Sequence, residues 1–229
     1  MISYCLESSV QSASNLDPLT KNSNDAPSFF TAKAAADAAR KAGNIAECER
    51  IWRQAVTLCD QCGNKGEQLL EALENLTWLN LEQHRFVTAE MFCKRAVKVA
   101  IDSVGKSHPR CLALLNSLAN VYYAERKFAE SEPISRWLVD FYSRNNDATH
   151  ISVGIAMANL AMVFHAQGKY DQSEVCYKQA LSIKLKTLGS GHAEVNALLL
   201  NYAKLLDATH RNVEADHFRS CSLSPRKTA

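Results

Sequence analysis

Displaced by 42 residues, this chain matches itself, and that period constrains the fold more than any single residue does. Asn-Ser-Leu-Ala-Asn-Val-Tyr at 116–122 falls on Ala-Asn-Leu-Ala-Met-Val-Phe at 158–164. Arg-Lys-Phe-Ala-Glu-Ser-Glu at 126–132 falls on Gly-Lys-Tyr-Asp-Gln-Ser-Glu at 168–174. A regular repeat of this size means stacked supersecondary units, each covering the apolar face of its neighbour. With only 8 Gly and 5 Pro in 229 residues, the chain lacks the turn formers of an all-β protein. Its abundant alanine, leucine, glutamate and lysine favour helix.

The register holds on several tracks at once. A small residue recurs as Ala36, Thr77, Ala119, Ala161 and Ala203, where it lets two helices approach closely. Four positions earlier stand Ala32, Leu73, Leu115, Met157 and Leu199, an i, i+4 apolar edge. A tight turn carries Gly43, His84, Arg126, Gly168 and His210, and two residues on come Ile45, Phe86, Phe128, Tyr170 and Asn212. On the following helix Ala55, Ala96, Leu138 and Ala180 mark another packing position. Every step is 42 except the first, which is 41.

These tracks predict ten helices in five hairpins. The pairs are Pro27–Ala42 with Ile45–Gln61, Lys65–Gln83 with Phe86–Ser103, and Pro109–Glu125 with Phe128–Ser143. Ile151–Gln167 with Tyr170–Leu188 and Ala193–His210 with a shorter Val213–Ser222 complete the set. The domain organisation is then a mobile lead-in over 1–24 with a short helix near Tyr4–Val10, a repeat domain over 25–222, and a disordered tail over 223–229. The repeats span about 26–63, 64–106, 107–148, 149–190 and 191–222.

Charge and composition exclude several classes. Lys and Arg number 26 against 24 acids, and a net charge of +2 gives no electrostatic argument for nucleic acid or an anionic membrane. No stretch approaches the roughly 18 apolar residues needed to span a bilayer. The first residues lack the basic end and apolar run of a signal peptide, so the expected location is cytoplasmic. Among the 8 cysteines, Cys48, Cys93, Cys176 and Cys221 lie in helical patterns and read as small apolar residues, while Cys5 and Cys111 have no obvious partners. Cys59 and Cys62 form a lone Cys-x-x-Cys with no second pair of ligands at matching spacing and no βαβ pattern around it. No metal or other cofactor is expected.

The small residue of the first helix, the glycine-then-aromatic turn and the alanine of the second helix resemble the tetratricopeptide repeat, whose usual unit is 34 residues. The longer unit is similar to the kinesin light chain type, on Leu115-Asn116-Ser117-Leu118-Ala119 preceded by Gly105-Lys106-Ser107-His108-Pro109, and again on Leu188-Gly189-Ser190-Gly191-His192. The likeness covers about residues 26–222; repeat one lacks the histidine linker and repeat five lacks the turn aromatic. The resemblance implies an all-α solenoid of about five hairpins forming a right-handed superhelix. It also implies a non-catalytic scaffold or adaptor that holds a peptide segment of a protein partner in a concave groove lined by the first helices.

That register assigns the groove. In repeat two it gives Glu71, Glu74, Trp78 and Glu82, with Glu67 one turn earlier. Carboxylates on one stripe repel each other by tenths of a kcal/mol per pair. A ligand with basic residues relieves that repulsion and finds a flat surface on Trp78; the alternative is a solvated acidic face. In repeat three Asn116 and Asn120 lie one turn apart, with Asn159 and Asn201 read as their counterparts in repeats four and five and Asn75 in repeat two. An amide both donates and accepts, so it can hold a peptide backbone; the alternative is a ladder in which each Asn satisfies an adjacent helix. Tyr123, Ile155, Met162 and His165 supply apolar or adaptable neighbours. A carboxylate clamp of the kind known in the family is not expected. Lys33 and Asn75 match it, but Asp37, Ala113 and Ser117 replace its other amide and its basic pair.

His108, His150 and His192 recur every 42 residues. Rings on equivalent helices stand roughly 8–10 Å apart, too far to share one metal ion, so they read as linker closures. No phosphate loop, Gly-x-Ser-x-Gly or His-Glu-x-x-His occurs. Self-association through the open ends of the stack, with Phe218 on a terminal edge, is the second expectation.

Overall fold

The computed structural model describes residues 28–63, 66–147 and 149–223. The expectations for the lead-in and for residues 224–229, together with helix starts at Pro27 and Lys65, lie outside those residues. Ten helices follow in order: α1 (Phe29–Lys41), α2 (Ile45–Gln61), α3 (Glu67–Glu82), α4 (Phe86–Val104), α5 (Pro109–Ala124), α6 (Phe128–Asn145), α7 (Ile151–Ala166), α8 (Tyr170–Leu188), α9 (Ala193–Ala208) and α10 (Asn212–Leu223). Each lies within about two residues of the span read from the sequence, and no strand occurs among the described residues.

Helix starts are set by caps. His108, His150 and His192 hold extended backbone at the N-caps of α5, α7 and α9, and each Nδ1 accepts the backbone N–H two residues on, at 3.2–3.3 Å. The recurrent histidines are therefore structural, as their spacing requires. Ser28 and Asn44 cap α1 and α2 through side-chain oxygens. Such a cap contributes about 1 kcal/mol.

Each hairpin closes through the same left-handed residue. Gly43, His84, Arg126, Gly168 and His210 all have positive φ, between 56° and 75°. The next residue donates its N–H back five positions, from Asn44 to Ala39, Arg85 to Asn80, Lys127 to Tyr122, Lys169 to Phe164 and Arg211 to Leu206, at 2.8–2.9 Å. This pattern satisfies the last carbonyls of the first helix and turns the chain sharply into the second.

Between the paired helices the small row is buried: Ala36, Ala119, Ala161 and Ala203 are all at most 2% exposed. The close approach lets Ser131 on α6 donate to the Ala119 carbonyl at 2.8 Å, and Ser173 on α8 to that of Ala161 at 2.7 Å. A continuous apolar core runs the length of the stack, with Trp52, Tyr177 and Tyr202 its largest fully buried side chains. At the C-terminal end Phe218 packs on Tyr202, ring centres 4.8 Å apart, so this residue is engaged within the chain. First helices of successive repeats meet directly, α5 with α7 and α7 with α9, and so line one face of the stack, the inner face.

An ion-pair ladder, unforeseen from the sequence, ties repeat to repeat. The residue after each left-handed turn, Arg85, Lys127, Lys169 or Arg211, reaches back to Glu49, Glu90, Glu132 or Glu174 of the preceding repeat. Each glutamate also receives a cation one turn along its own helix, from Arg53, Lys94, Arg136 or Lys178. Burial of Glu132 opposes its charge, yet hydrogen bonds from Lys169 and Arg136 outweigh it and hold the carboxyl at about 2. The hydrogen bonds of Lys127 and Lys94 bring Glu90 to about 2, and that of Lys178, followed by Arg211, does the same for Glu174.

Two outcomes follow. A carboxyl depressed in the folded state stabilises fully above its ordinary value of 4.5 and loses that contribution as pH falls towards 2. The melting temperature of the wild type should therefore drop across this window, and Glu132→Gln should flatten part of the drop in thermal melts from pH 6 downwards. The turns give reciprocal substitutions: Arg126→Gly should raise stability by about 0.5 kcal/mol and Gly168→Ala lower it by about 1 kcal/mol in urea titrations.

Candidate functional site

The inner face is built by α1, α3, α5, α7 and α9 side by side, and its two halves differ in kind. In the N-terminal half the acidic stripe is matched from both flanking helices. Lys33 on α1 meets Glu71 at 2.5 Å. Arg110 on α5 grips Glu74 with two hydrogen bonds, Nε and Nη2 each at 3.1 Å, and reaches Glu67 with Nη1 at 3.1 Å. The hydrogen bond to Glu71 raises the Lys33 ammonium above its usual value against a smaller cost of burial. For Arg110 burial is the largest influence and lowers the value, but Glu74 outweighs it. The guanidinium of Arg40 lies over Trp78, 3.7 Å from the ring centre.

Mutual repulsion along Glu67, Glu71 and Glu74 is thus relieved within the chain, which corrects the picture of an uncompensated stripe. Trp78 already carries a cation on its face. Glu82, exposed at the last turn of α3, stands apart from this cluster. Sequence reasoning missed Arg110 and Arg40 because it aligned repeats position for position. Arg110 lies 36 residues from Glu74, six short of the period, and 43 from Glu67, so its long side chain bridges carboxylates on either side of its own register position.

The C-terminal half is a surface of amides and apolar groups. Asn159 on α7 donates to the Asn116 carboxamide oxygen on α5 at 2.7 Å. Asn75 donates back to the Glu71 carbonyl of its own helix at 2.8 Å, and Asn201 approaches the Met162 sulfur at 3.8 Å. Counting by 42 from Asn75 gives Ser117, Asn159 and Asn201, so the repeat-three member of that row is Ser117 and not Asn116. Ser117 donates to its own helix, at the Ala113 carbonyl, 3.0 Å away. Asn116 is instead the cross-helix partner of Asn159, one rung of a ladder.

Asn120 differs from the others. It is half-buried on α5, and among the described residues its carboxamide makes no hydrogen bond. It lines, with Tyr123, Ser135, Asn159 and Met162, a cavity of about 20 Å³ where α5, α6 and α7 meet, the room of about one water molecule. Tyr123 packs against the turn residue Phe128 with the rings tilted, centres 5.5 Å apart, and one repeat on His165 meets Tyr170 edge-on at 6.0 Å. Burial holds the Tyr123 hydroxyl above its ordinary value; burial and then the charge of Lys204 hold the His165 imidazole below its own. Ile155 is half-buried on the same helix as Asn159 and Met162.

Cys59 is buried, its thiol pushed up by burial, whereas Cys62 is exposed at the end of α2; both are free. Among the described residues no group of His, Cys, Asp and Glu is arranged to hold a metal ion, and no helix is long and apolar enough to cross a membrane.

Residues 152–218, which cover the last two hairpins, match the tetratricopeptide repeat family. Solved structures share the fold across most of the chain. One is the set of nearly identical TPR-like repeats of a Podosopora anserina protein assigned as a kinesin light chain, with TM-score 0.72, 19% identity, and 85% of this chain and 92% of that one covered. BtubC (BKLC) from P. vanneervenii superposes with TM-score 0.70 at 18% identity, over 87% of this chain and 84% of that one. MamA from Desulfovibrio magneticus RS-1 follows with TM-score 0.60 at 8% identity, over 85% and 93%. No curated protein matches the sequence. The fold is thus that of a tetratricopeptide-repeat solenoid.

The cis pairing makes a measurable distinction between two acidic-face residues. Arg110→Ala should cost about 1–2 kcal/mol in denaturant titrations, because it strips two carboxylates of their partner. Glu82→Gln should stay within about 0.5 kcal/mol of the wild type.

Proposed function

We propose that this solenoid is a protein-interaction scaffold, without catalysis of its own, whose first-helix face holds an extended segment of a protein partner across repeats three to five. The observation that carries the reading is Asn120. A half-buried carboxamide with both functions unused shares a cavity lining with Asn159, a member of the amide pair, and with Met162. A peptide main chain supplies a donor and an acceptor together, which such an amide can meet with both of its functions. Met162 adapts to different side chains, and Leu200 on α9, 36% exposed, extends the apolar part of the wall.

The polar groups on this face are amides and charge-paired side chains, a composition suited to recognition. The N-terminal half contributes less to binding. Its carboxylates must give up Lys33 and Arg110 before they can meet a basic ligand, so any preference for basic segments falls on the exposed Glu82 and is weakened by salt.

Peptides selected on the full chain from a random display library test this reading. Asn120→Ala and Met162→Ala should each weaken the selected peptides about tenfold in calorimetric titrations. Val175→Ala, on the outer surface of α8, should leave them unchanged. Selected peptides that are indifferent to both inner-face substitutions and sensitive to Val175→Ala would place binding elsewhere and sink the proposal.

A further inference from the structure

One row on the second helices keeps a large apolar side chain in every repeat but one. Ile51, Phe92, Ile134, Cys176 and Phe218 occupy equivalent positions. Ile51 and Phe92 are 8% and 6% exposed, and Ile134 and Phe218 pack half-buried against the core. Cys176 is buried too, but it is much the smallest of the five. Three residues on, the next row changes at the same place. Arg95 is tied to Asp60 of the preceding repeat, and Trp137 stacks on Phe141, ring centres 5.3 Å apart, under the Lys106 ammonium. Their counterpart in repeat four is Gln179, an exposed amide.

An open hollow coincides with these two exchanges. It lies between α6 and α8, against α7, and has a volume of about 460 Å³. Leu160, Phe164 and Cys176 form a buried apolar floor, whereas Val175 and Gln179 stand exposed on the wall, so the hollow faces solvent. Arg136 reaches across it from α6, donating to Gln172 of α8 at 3.3 Å, with its guanidinium carbon 4.7 Å from the ring centre of Phe164. In the first two repeats the equivalent cation, Arg53, lies 5.1 Å from the ring centre of Phe92. Repeats three and four therefore keep the cation of that pair and lack its ring.

We propose that this hollow is a docking site for an aromatic side chain of a protein partner, on the outer face and independent of the inner-face groove. The other repeats define the occupant, because Phe92, or Ile134 with Trp137, fills the corresponding space from within the chain. A ring seated on Leu160 and Cys176 removes apolar surface from water on both partners and offers its face to Arg136. An acidic or hydroxylated side chain gains no such burial.

Random peptides displayed on phage provide the test, selected on the full chain carrying Asn120→Ala so that the inner face is weakened. The selected set should share Phe, Tyr or Trp at one fixed position, and alanine there should weaken binding about tenfold in calorimetric titrations. Cys176→Phe, the residue of repeats two and five, should weaken the peptides by a similar factor while the melting temperature stays equal or rises. Val175→Lys, on the exposed wall, should also weaken them and leave the melting temperature unchanged. Restoring Asn120 should make no difference.

An empty selection, or peptides with no shared aromatic, overturns the docking site. So do aromatic peptides indifferent to both Cys176→Phe and Val175→Lys, or a melting temperature lowered by Cys176→Phe. None of these results touches the inner-face reading, which stands or falls on the peptides selected with Asn120 in place.

Discussion

The close approach of the two helices in each hairpin depends on a row of side chains no larger than threonine, and most other features of the stack follow from it. At Ala119 and Ala161 the neighbouring helix comes near enough for Ser131 and Ser173 to donate to the backbone itself. A longer side chain at either position would separate the helices and break that bond. The five left-handed turns are the other half of the same constraint, because a helix pair this close leaves room only for a sharp reversal. Three of the five turns hold a residue other than glycine, which shows that the turn is imposed by the packing and not only by local preference.

In a solenoid each repeat contacts only its neighbours, so cooperativity rests on what passes from one repeat to the next. Apolar burial supplies most of this, but the ladder of glutamates adds a polar link with a fixed register. Each carboxylate sits between a cation on its own helix and one on the following turn. The cation is delivered to its place by the turn that closes the next hairpin, so hairpin closure and repeat stacking are mechanically joined. Loss of charge at one rung therefore reaches the relative placement of two repeats, and through it the curvature of the inner face.

The hairpins were legible in the sequence because period and burial are properties of single positions. Ala36, Thr77, Ala119, Ala161 and Ala203 declare themselves by size alone, and the histidine caps by spacing alone. Pairings were not legible for a physical reason. Glu74 finds Arg110 and Glu90 finds Lys127 across 36 and 37 residues, short of the 42-residue period, because long side chains reach sideways and back along the helix. The amide row failed similarly: Asn116 lies one residue out of the Asn75–Asn159–Asn201 register and meets Asn159 across the helix interface, not as its equivalent. The orphan hydroxyl of Ser135 is invisible to any pattern, since only the placement of its neighbours shows that nothing answers it.

The contrast between the two halves of the inner face decides where binding energy can originate. Charged groups already paired within the chain, such as Glu74 with Arg110, gain little from a ligand, because each new ion pair replaces one that existed and adds a desolvation cost. Unpaired neutral polar groups have the opposite balance. Asn120 makes no hydrogen bond among the described residues, so a ligand that pairs with it breaks no contact of the protein. The carboxylates Glu67, Glu71 and Glu74 are thus neutralised from within the chain, and under the proposed binding role specificity would arise from hydrogen-bond geometry more than from charge.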